Sequence, residues 1–318
     1  MSQAENIHDV VIVGGGPAGL AAGIYTGRGG LDAVLLDMMG GGGQVNTIDR
    51  VENYPGVVDP ESGIELADIM RKQSESFGVA ITFDEVKKIE TTDELLTVNC
   101  TSENYSAKTL LAASGASHRP LGVPGEGRLT GRGVSYCATC DGAFFRGQHV
   151  AVVGGGSSAV MEAVYLSRIV ERVTLIHRRD SLRAEKIQQD RLFAADNIEV
   201  LWDCAVEEVL GNNEVSGLKI KNLKTGDPSQ LDVTGMFVFI GLIPNSTFLK
   251  GVVEMDDFGF IKTDTRMRTI NPRIFAAGDI RQDSARQIGT AVGDGITAAV
   301  NIQEMLDTVT PDRQYVKS

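Results

Sequence analysis

Two stretches of this chain overlay on one another without a gap. The first is "DVVIVGGGPAGLAAGIYTGRGGLDAVLLD" and the second "VAVVGGGSSAVMEAVYLSRIVERVTLIH". In this register Gly14 falls on Gly154, Tyr25 on Tyr165, Arg28 on Arg168 and Leu35 on Leu175. Each reads as a buried apolar strand, a glycine turn, a helix and a second strand. Gly14, Gly16 and Gly19 have the G-x-G-x-x-G spacing, and Gly154, Gly156 and Ala159 repeat it. The first glycine permits a sharp turn, the second lets the backbone approach a pyrophosphate, and the third lets the helix pack closely on the strand. Pro17 and Ala18, like Ser157 and Ser158, open a helix whose free N–H groups would face the phosphates. One such motif is weak, because glycine turns arise for backbone reasons alone. Its repetition in register predicts an α/β fold with two Rossmann-like dinucleotide-binding domains.

The same overlay sets Asp37 on His177. An acid at the end of the second strand accepts a ribose hydroxyl, whereas "HRRDSLR" offers His177, Arg178, Arg179 and Arg183. Guanidinium groups suit a 2′-phosphate, which a carboxylate would repel. The expectation is FAD at the first turn and NADPH at the second, although glycine spacing alone does not separate FAD from NAD. Two further segments favour a flavin. "GGGGQVNTIDRVENYPG" is a glycine run ending in polar groups, with Gln44 and Asn53 available to a ring edge or ribityl chain. "IFAAGDIRQDSARQIGTAVGDGITAAV" reads as strand, turn and helix, with Gly278 and Asp279 at the turn. There an acid would accept a ribityl hydroxyl and a helix N-terminus would stabilise a reduced ring.

At 318 residues the chain is about twice a typical domain in length. The second repeat lies inside the first: residues 1–115 and 244–318 are expected to form the FAD-binding domain, and 116–243 the NADPH-binding domain. The junctions "ASGASHRPLGVPGEG" and "GLIPNS" are rich in residues that break regular structure. Two stretches, "ITFDEVKKIETTDELLTVNCTSENYSAKTLLAAS" and "IEVLWDCAVEEVLGNNEVSGLKIKNLKTGDPSQLDVTGMFVFIG", alternate like short antiparallel strands. Each domain is therefore expected to carry a small β-appendage.

A net charge of -12 and a pI near 4.9 disfavour nucleic acid and anionic lipid as partners. "MSQAENIHD" has no positive n-region, and no apolar run approaches the roughly 18 residues of a membrane span. A soluble, cytoplasmic protein is expected.

The chain has four cysteines. Cys100 and Cys204 are solitary and read as small buried hydrophobes. Cys137 and Cys140 stand two residues apart, in "CATCDG". A zinc site would need a second pair or clustered histidines, and His8, His118, His149 and His177 are scattered, so no metal is expected. A structural disulfide would close only a tiny loop, and a reducing cytoplasm opposes it. Redox exchange remains. A helix starting near Cys140 would favour a thiolate, and Asp141 is placed to move the proton that thiol exchange requires.

"CATCDG", "HRRDSLRA", "VENYPG", "GLIPN", "AAGDI" and "ARQIGTAVGDG", in this order over nearly the whole chain, resemble the low-molecular-weight, NADPH-dependent thioredoxin reductases. The resemblance implies that Cys140 faces the flavin, that Cys137 attacks the disulfide of thioredoxin, and that Asp141 is the acid/base. It implies that Gln44, Asn53, Asp279, Arg286 and Gln287 line the FAD, that the "HRRDSLR" side chains hold the 2′-phosphate, and that the chain is a homodimer. Three departures stand out: Ser157 replaces an acid or amide, "ASG" at Ala113, Ser114 and Gly115 replaces "ATG", and the run Gly40 to Gly43 is long. Disulfide and nicotinamide would both have to reach near-contact with one flavin ring, so the inserted half is expected to rotate between two poses. A reductase of another redoxin, a flavoprotein ferredoxin–NADP reductase without need of the thiols, and a flavin redox sensor are the alternatives.

Overall fold

The computed structural model describes residues 7–48, 51, 53–57, 62–92 and 94–309. The opening MSQAEN and Glu52 of "VENYPG" lie outside them. The chain divides into two compact units, Met1–Ser117 with Ile243–Ser318, and His118–Leu242. The chain crosses between them at 117/118 and 242/243.

In the first unit β1 (Ile7–Val13) is paired in parallel with β2 (Ala33–Asp37) and β6 (Asn104–Ala112). β3 (Ala80–Phe83) extends the sheet in parallel beyond β2, and β4 (Val86–Thr91) and β5 (Leu96–Cys100) join antiparallel on the far side. β6 serves two neighbours along one edge. Its first half pairs with β5, as Leu96 opposite Ala107, and its last residues pair with β17 (Ile274–Ala276), as Ala276 opposite Ala112.

Successive β1 residues serve opposite faces, because side chains alternate across a strand. Val10 and Ile12 join one core with Leu20 of α1 (Pro17–Arg28), Leu66 and Met70 of α2 (Gly63–Ser76), and Ala298 and Ile302 of α7 (Ile288–Val309). Val11 and Val13 join the other, with Ile89, Val98 and Leu249. Burial on both faces explains the unbroken apolar run of β1. Pro17 suits the first turn of α1, where its missing N–H costs no helix bond. α2 begins with a capping box in which Ser62 and Glu65 satisfy each other's backbone N–H.

The second unit repeats the plan. β9 (His149–Gly154), α5 (Ser157–Ser167) and β10 (Arg172–Ile176) stand where the overlay puts them, in a parallel sheet ordered β11-β10-β9-β15-β8, with β8 Val134–Ser135, β11 Ile198–Leu201 and β15 Gly235–Phe239. α5 covers one face through Ala159, Val160 and Ala163. The other face is covered by Val206, Val209, Leu218 and Ile220 of the antiparallel strands β12 (Cys204–Leu210) and β13 (Gly217–Asn222), which β14 (Pro228–Leu231) completes.

The expected β-appendages are smaller than the sequence suggested. β3, β6, β11 and β15 read as ladder strands, yet β3, β11 and β15 pair only in parallel, and β6 is parallel to β1 and β17 and antiparallel to β5 alone. Period-2 alternation marks a half-exposed strand, and β3 and β11 are edge strands.

The connecting strands are β7 (Ala116–His118) and β16 (Leu242–Pro244). Within the first unit, Asn245 donates from Nδ2 to the Ser114 carbonyl at 2.8 Å, and its own carbonyl accepts from the Ser114 hydroxyl at 2.8 Å. Serine in "ASG" therefore makes a specific bond at the junction. Within the second unit, Arg119 N donates to the Gly241 carbonyl at 2.8 Å. No helix among the described residues is long and apolar enough to cross a membrane.

A Cβ on Gly19 would lie 1.9 Å from the Gly14 carbonyl oxygen, whereas one on Gly16 would meet nothing within 4 Å. Gly19→Ala is therefore expected to cost about 1–3 kcal/mol through overpacking, and Gly16→Ala less than about 0.5 kcal/mol. Urea unfolding followed by circular dichroism checks both; equal midpoints for the two variants would contradict this account.

Candidate functional site

At the first turn Gly14 has φ 105°, and a Cβ there would run into the Ala113 carbonyl at 2.5 Å. Gly16 is the N-cap of α1 and no side chain caps that end. Open space therefore lies in front of free backbone donors, which is what an anion needs. Asp37 accepts from Gly15 N at 2.7 Å through Oδ2, and from Met39 N at 2.7 Å and Gly41 N at 3.0 Å through Oδ1. A carboxylate has about four acceptor sites, so one remains for a ribose hydroxyl.

The glycine run has a structural reason. Gly40, Gly41, Gly42 and Gly43 all have positive φ, and Gly42 N donates to the Gly15 carbonyl at 2.7 Å. A Cβ on Gly43 would come within 3.2 Å of the Gly16 Cα. Backbone is thus folded back over backbone, and only glycine tolerates that conformation four times in succession.

Gln44 donates its side-chain amide to the Ala116 carbonyl. Asn53 donates to Gln287 Oε1 at 3.1 Å, so two residues 234 positions apart meet in one cluster. Gly278 has φ 77°, and Asp279 accepts from the Ser284 hydroxyl at 3.2 Å. Burial pushes the Asp279 carboxyl up, while the Ser284 bond and the Arg286 charge oppose that. Arg286 itself has φ 56° and lies over the Phe260 ring, 5.1 Å from its centroid. Gly115 has φ 64° and accepts from Asn245 N.

The sequence reading missed what fixes this turn. Asp294 of α7 is buried and takes Arg281 in a two-pronged ion pair, Nε to Oδ2 at 2.5 Å and Nη2 to Oδ1 at 3.0 Å. Its Oδ2 also accepts from Gly278 N at 3.1 Å. An aspartate among the small residues of "GTAVGDGITAAV" was the available signal.

In the second unit Gly156 is the N-cap of α5, again without a side-chain cap and with nothing within 4 Å of a Cβ. Ser157 is half-buried and Ser158 exposed, at the start of that helix. Gly154 has φ 153°, and its Cβ would meet Ala159 Cβ at 2.6 Å.

The "HRRDSLR" residues divide. Arg178, Arg179 and Arg183 are exposed, and no ion pair among the described residues engages them. The Arg183 N–H bonds the Gly155 carbonyl at 2.7 Å, which ties the basic turn to the glycine turn. His177, expected beside them as a ligand, is instead 4% exposed. Its ring packs under Gly155, where a Cβ would be 2.1 Å from Cε1, and its Nε2 meets the Ser181 carbonyl at 3.0 Å. Burial holds this imidazole below the usual histidine range, against the pull of the Ser181 carbonyl. The strand that delivers it is buried, so the ring supports the turn from beneath.

Cys137 and Cys140 are joined in a disulfide, with Cα atoms 5.3 Å apart. The helix expected to start near Cys140 begins earlier. α4 (Ala138–Asp141) is a single turn capped by Cys137, whose Sγ accepts from Cys140 N at 3.2 Å. Ser135, two residues before the cap, sets that boundary: its Oγ accepts from Cys137 N at 3.0 Å and holds the cap extended. Cys137 is half-buried, Cys140 exposed and Asp141 half-buried. Ala138, wholly buried, and Gly142, where a Cβ would lie 2.9 Å from a Leu166 methyl, seat the loop on α5.

Cys100 and Cys204 are half-buried rather than buried, because β5 ends at the first and β12 starts at the second. Burial pushes the Cys100 thiol up to about 12, with help from Asp84 and Glu103, and raises Cys204 as well. Neither is a ready nucleophile. Among the described residues no three His, Cys, Asp or Glu side chains converge as a metal site.

Removing one member of a buried pair strands the other's charge. Asp294→Asn is therefore expected to lose about 3 kcal/mol of stability, and Arg281→Met with Asp294→Leu distinctly less. Denaturant titration of the three proteins checks this, and equal losses would show that Gly278 alone, and not the ion pair, is what Asp294 supports.

Residues 8–295 match the family model described as pyridine nucleotide-disulphide oxidoreductase. The chain is 44% identical to the thioredoxin reductase of Listeria monocytogenes over 308 residues, covering 96% of each protein. It is 42% identical to that of Bacillus subtilis over 314 residues, covering 98% and 99%. Among solved structures, Lactococcus lactis thioredoxin reductase superposes with a TM-score of 0.93 at 42% identity, covering 95% of this chain and 99% of the other. T. acidophilum thioredoxin reductase gives 0.91 at 35% identity, covering 96% and 100%. With two glycine turns at the heads of α1 and α5, a C-x-x-C disulfide between them in sequence, and these relatives along its length, the chain belongs to the pyridine nucleotide-disulphide oxidoreductases and, among them, to the thioredoxin reductase family.

Proposed function

We propose that the protein is an NADPH-dependent thioredoxin-disulfide reductase, in which electrons pass from NADPH through FAD and the Cys137–Cys140 disulfide to oxidised thioredoxin. The observation that carries the reading is that disulfide, seated on the helix whose N-terminus forms the second glycine turn. In this reading residues 1–115 and 244–318 bind FAD, residues 116–243 bind NADPH, and the enzyme is a cytoplasmic homodimer.

The residues fit both cofactors. Gly14, Gly16, Pro17, Ala18 and Gly19 leave an open, donor-lined end on α1, and Asp37 keeps an acceptor for a ribose. Asn53, Gln287, Gln44, Gly115, Gly278, Asp279 and Arg286 would meet the rest of the FAD. Gly154, Gly156, Ser157 and Ser158 would take the NADPH pyrophosphate, and Arg178, Arg179 and Arg183 its 2′-phosphate, with His177 beneath. The chemistry a bound flavin supplies is two-electron exchange between a nicotinamide and a disulfide.

The chain's own residues do the rest. Once the disulfide is reduced, Cys137 attacks a sulfur of thioredoxin and releases the other as a thiol, for which Asp141 supplies the proton. Cys140 then attacks Cys137, re-forms the pair and releases the second thiol. Because disulfide and nicotinamide turn travel on one unit and both require the same flavin, the inserted unit exchanges between two poses about the 116–118 and 242–244 strands.

Anaerobic addition of NADPH should bleach the yellow flavin band, and oxidised thioredoxin should restore it. Cys140→Ser should trap a mixed disulfide between Cys137 and thioredoxin, and Cys137→Ser should trap none. A colourless protein that takes up no flavin, or the opposite trapping pattern, would overturn the assignment. Crosslinking the two units should abolish turnover; undiminished turnover would remove the two-pose mechanism alone.

A further inference from the structure

The antiparallel sheet of the second unit does more than cover a core. Its β13–β14 turn is rigidly built: Asn222 Oδ1 accepts from Lys224 N at 2.9 Å and Thr225 N at 3.0 Å, and Gly226 N returns to the Asn222 carbonyl at 2.8 Å. This turn is fastened to the segment beside the basic turn. Leu223 N donates to the Asp203 carbonyl at 2.6 Å, and Asp203 N donates to the Arg179 carbonyl at 3.2 Å. Cys204 N donates in turn to the His177 carbonyl at 3.0 Å. Asp203 holds φ 56°, uncommon for a residue other than glycine.

Lys224 is carried by this scaffold to two carboxylates. Its Nζ lies 2.8 Å from Asp203 Oδ2 and 3.7 Å from Asp180 Oδ2. Asp180 directly follows Arg178 and Arg179 and precedes Arg183, so it is an anion inside the cationic turn. Lys224 is 62% exposed and Asp180 73% exposed, and an ion pair so open to water contributes little to folding. Its effect on a charged ligand is larger. Without Lys224, two carboxylates would be left beside the arginines, free to compete with a phosphate for the guanidinium groups and to repel it.

We infer that Lys224 is a specificity-determining residue: by occupying Asp180 and Asp203 it keeps Arg178, Arg179 and Arg183 available to the 2′-phosphate of NADPH and so sets the preference over NADH. This rests on the second glycine turn taking NADPH. Lys224 acts through its neighbours, as a positioning residue for charge.

The test uses the flavin-loaded full chain with Lys224→Ala, Lys224→Arg, Asp180→Asn and the double variant Lys224→Ala/Asp180→Asn. For Lys224→Ala the KM for NADPH is expected to rise about three- to fivefold, the upper part of the range an exposed charge pair spans, with kcat and the KM for NADH unchanged. Calorimetry should show a matching loss of affinity for 2′,5′-ADP and none for 5′-AMP. Lys224→Arg should behave as the parent, and adding Asp180→Asn to Lys224→Ala should recover most of the loss. Equal shifts for NADPH and NADH, no shift for NADPH, or no recovery in the double variant would overturn the inference. A parent protein that does not distinguish NADPH from NADH would overturn the nicotinamide assignment with it, whereas a parent that prefers NADPH and keeps that preference in Lys224→Ala would overturn the role of Lys224 alone.

Discussion

Everything in this molecule turns on helix ends left without side-chain caps. At α1 and α5 the N-cap is glycine, and the exposed amides have no side-chain acceptor. Unsatisfied donors at a helix start are tolerated in water and favoured beside an anion, because the peptide dipoles point the same way. The close approach of strand and helix enforces this geometry. Gly19 meets Gly14, Gly154 meets Ala159, and neither turn has room to close over its own amides. The chain thus carries two uncapped helix starts, each at the head of a parallel βαβ unit, one under a glycine run and one tied to a turn with three arginines.

The redox pair belongs to the second of these by packing and not merely by sequence. Ala138 and Gly142 bury the loop against the side of α5, while the head of α5 is the second glycine turn. One helix therefore fixes the disulfide relative to that turn. Ser135 and Cys137 add the local rigidity, since both polar groups of the Cys137 backbone bond to the Ser135 hydroxyl. Such a loop offers two sulfurs of unequal exposure, with Cys140 open and Cys137 half-covered.

Much of this was legible before any coordinates. The gapless overlay located both βαβ units to within two residues, since strand, turn and helix lengths are set by local rules that each copy obeys. The Asn53–Gln287 bond joins two residues that the family resemblance names, from segments 234 positions apart. Less visible were interactions that depend on which element lands beside which. Asp294 and Arg281 read as ordinary polar residues until α7 docks and excludes water from them. His177 sits in a basic string, and only the buried path of β10 turns its ring under Gly155. The glycine run gave no hint of its role, because a chain reversal over Gly15 and Gly16 leaves no periodic trace. Strands such as β3 and β11 misled for the opposite reason: an edge strand of a parallel sheet has the same alternation as a strand in a ladder.

The branching of β6 carries a consequence for how the chain is made. The strand waits for β17, whose first residue is Ile274, to line the edge that β5 leaves open. Translation proceeds from the N-terminus, so residues 118–242 are all out of the ribosome before that last strand exists. The inserted unit holds a complete sheet of its own, whereas the outer sheet has six of its seven strands and lacks only β17 until the tail arrives. The open edge of β6 is therefore the last place in the outer sheet to be filled.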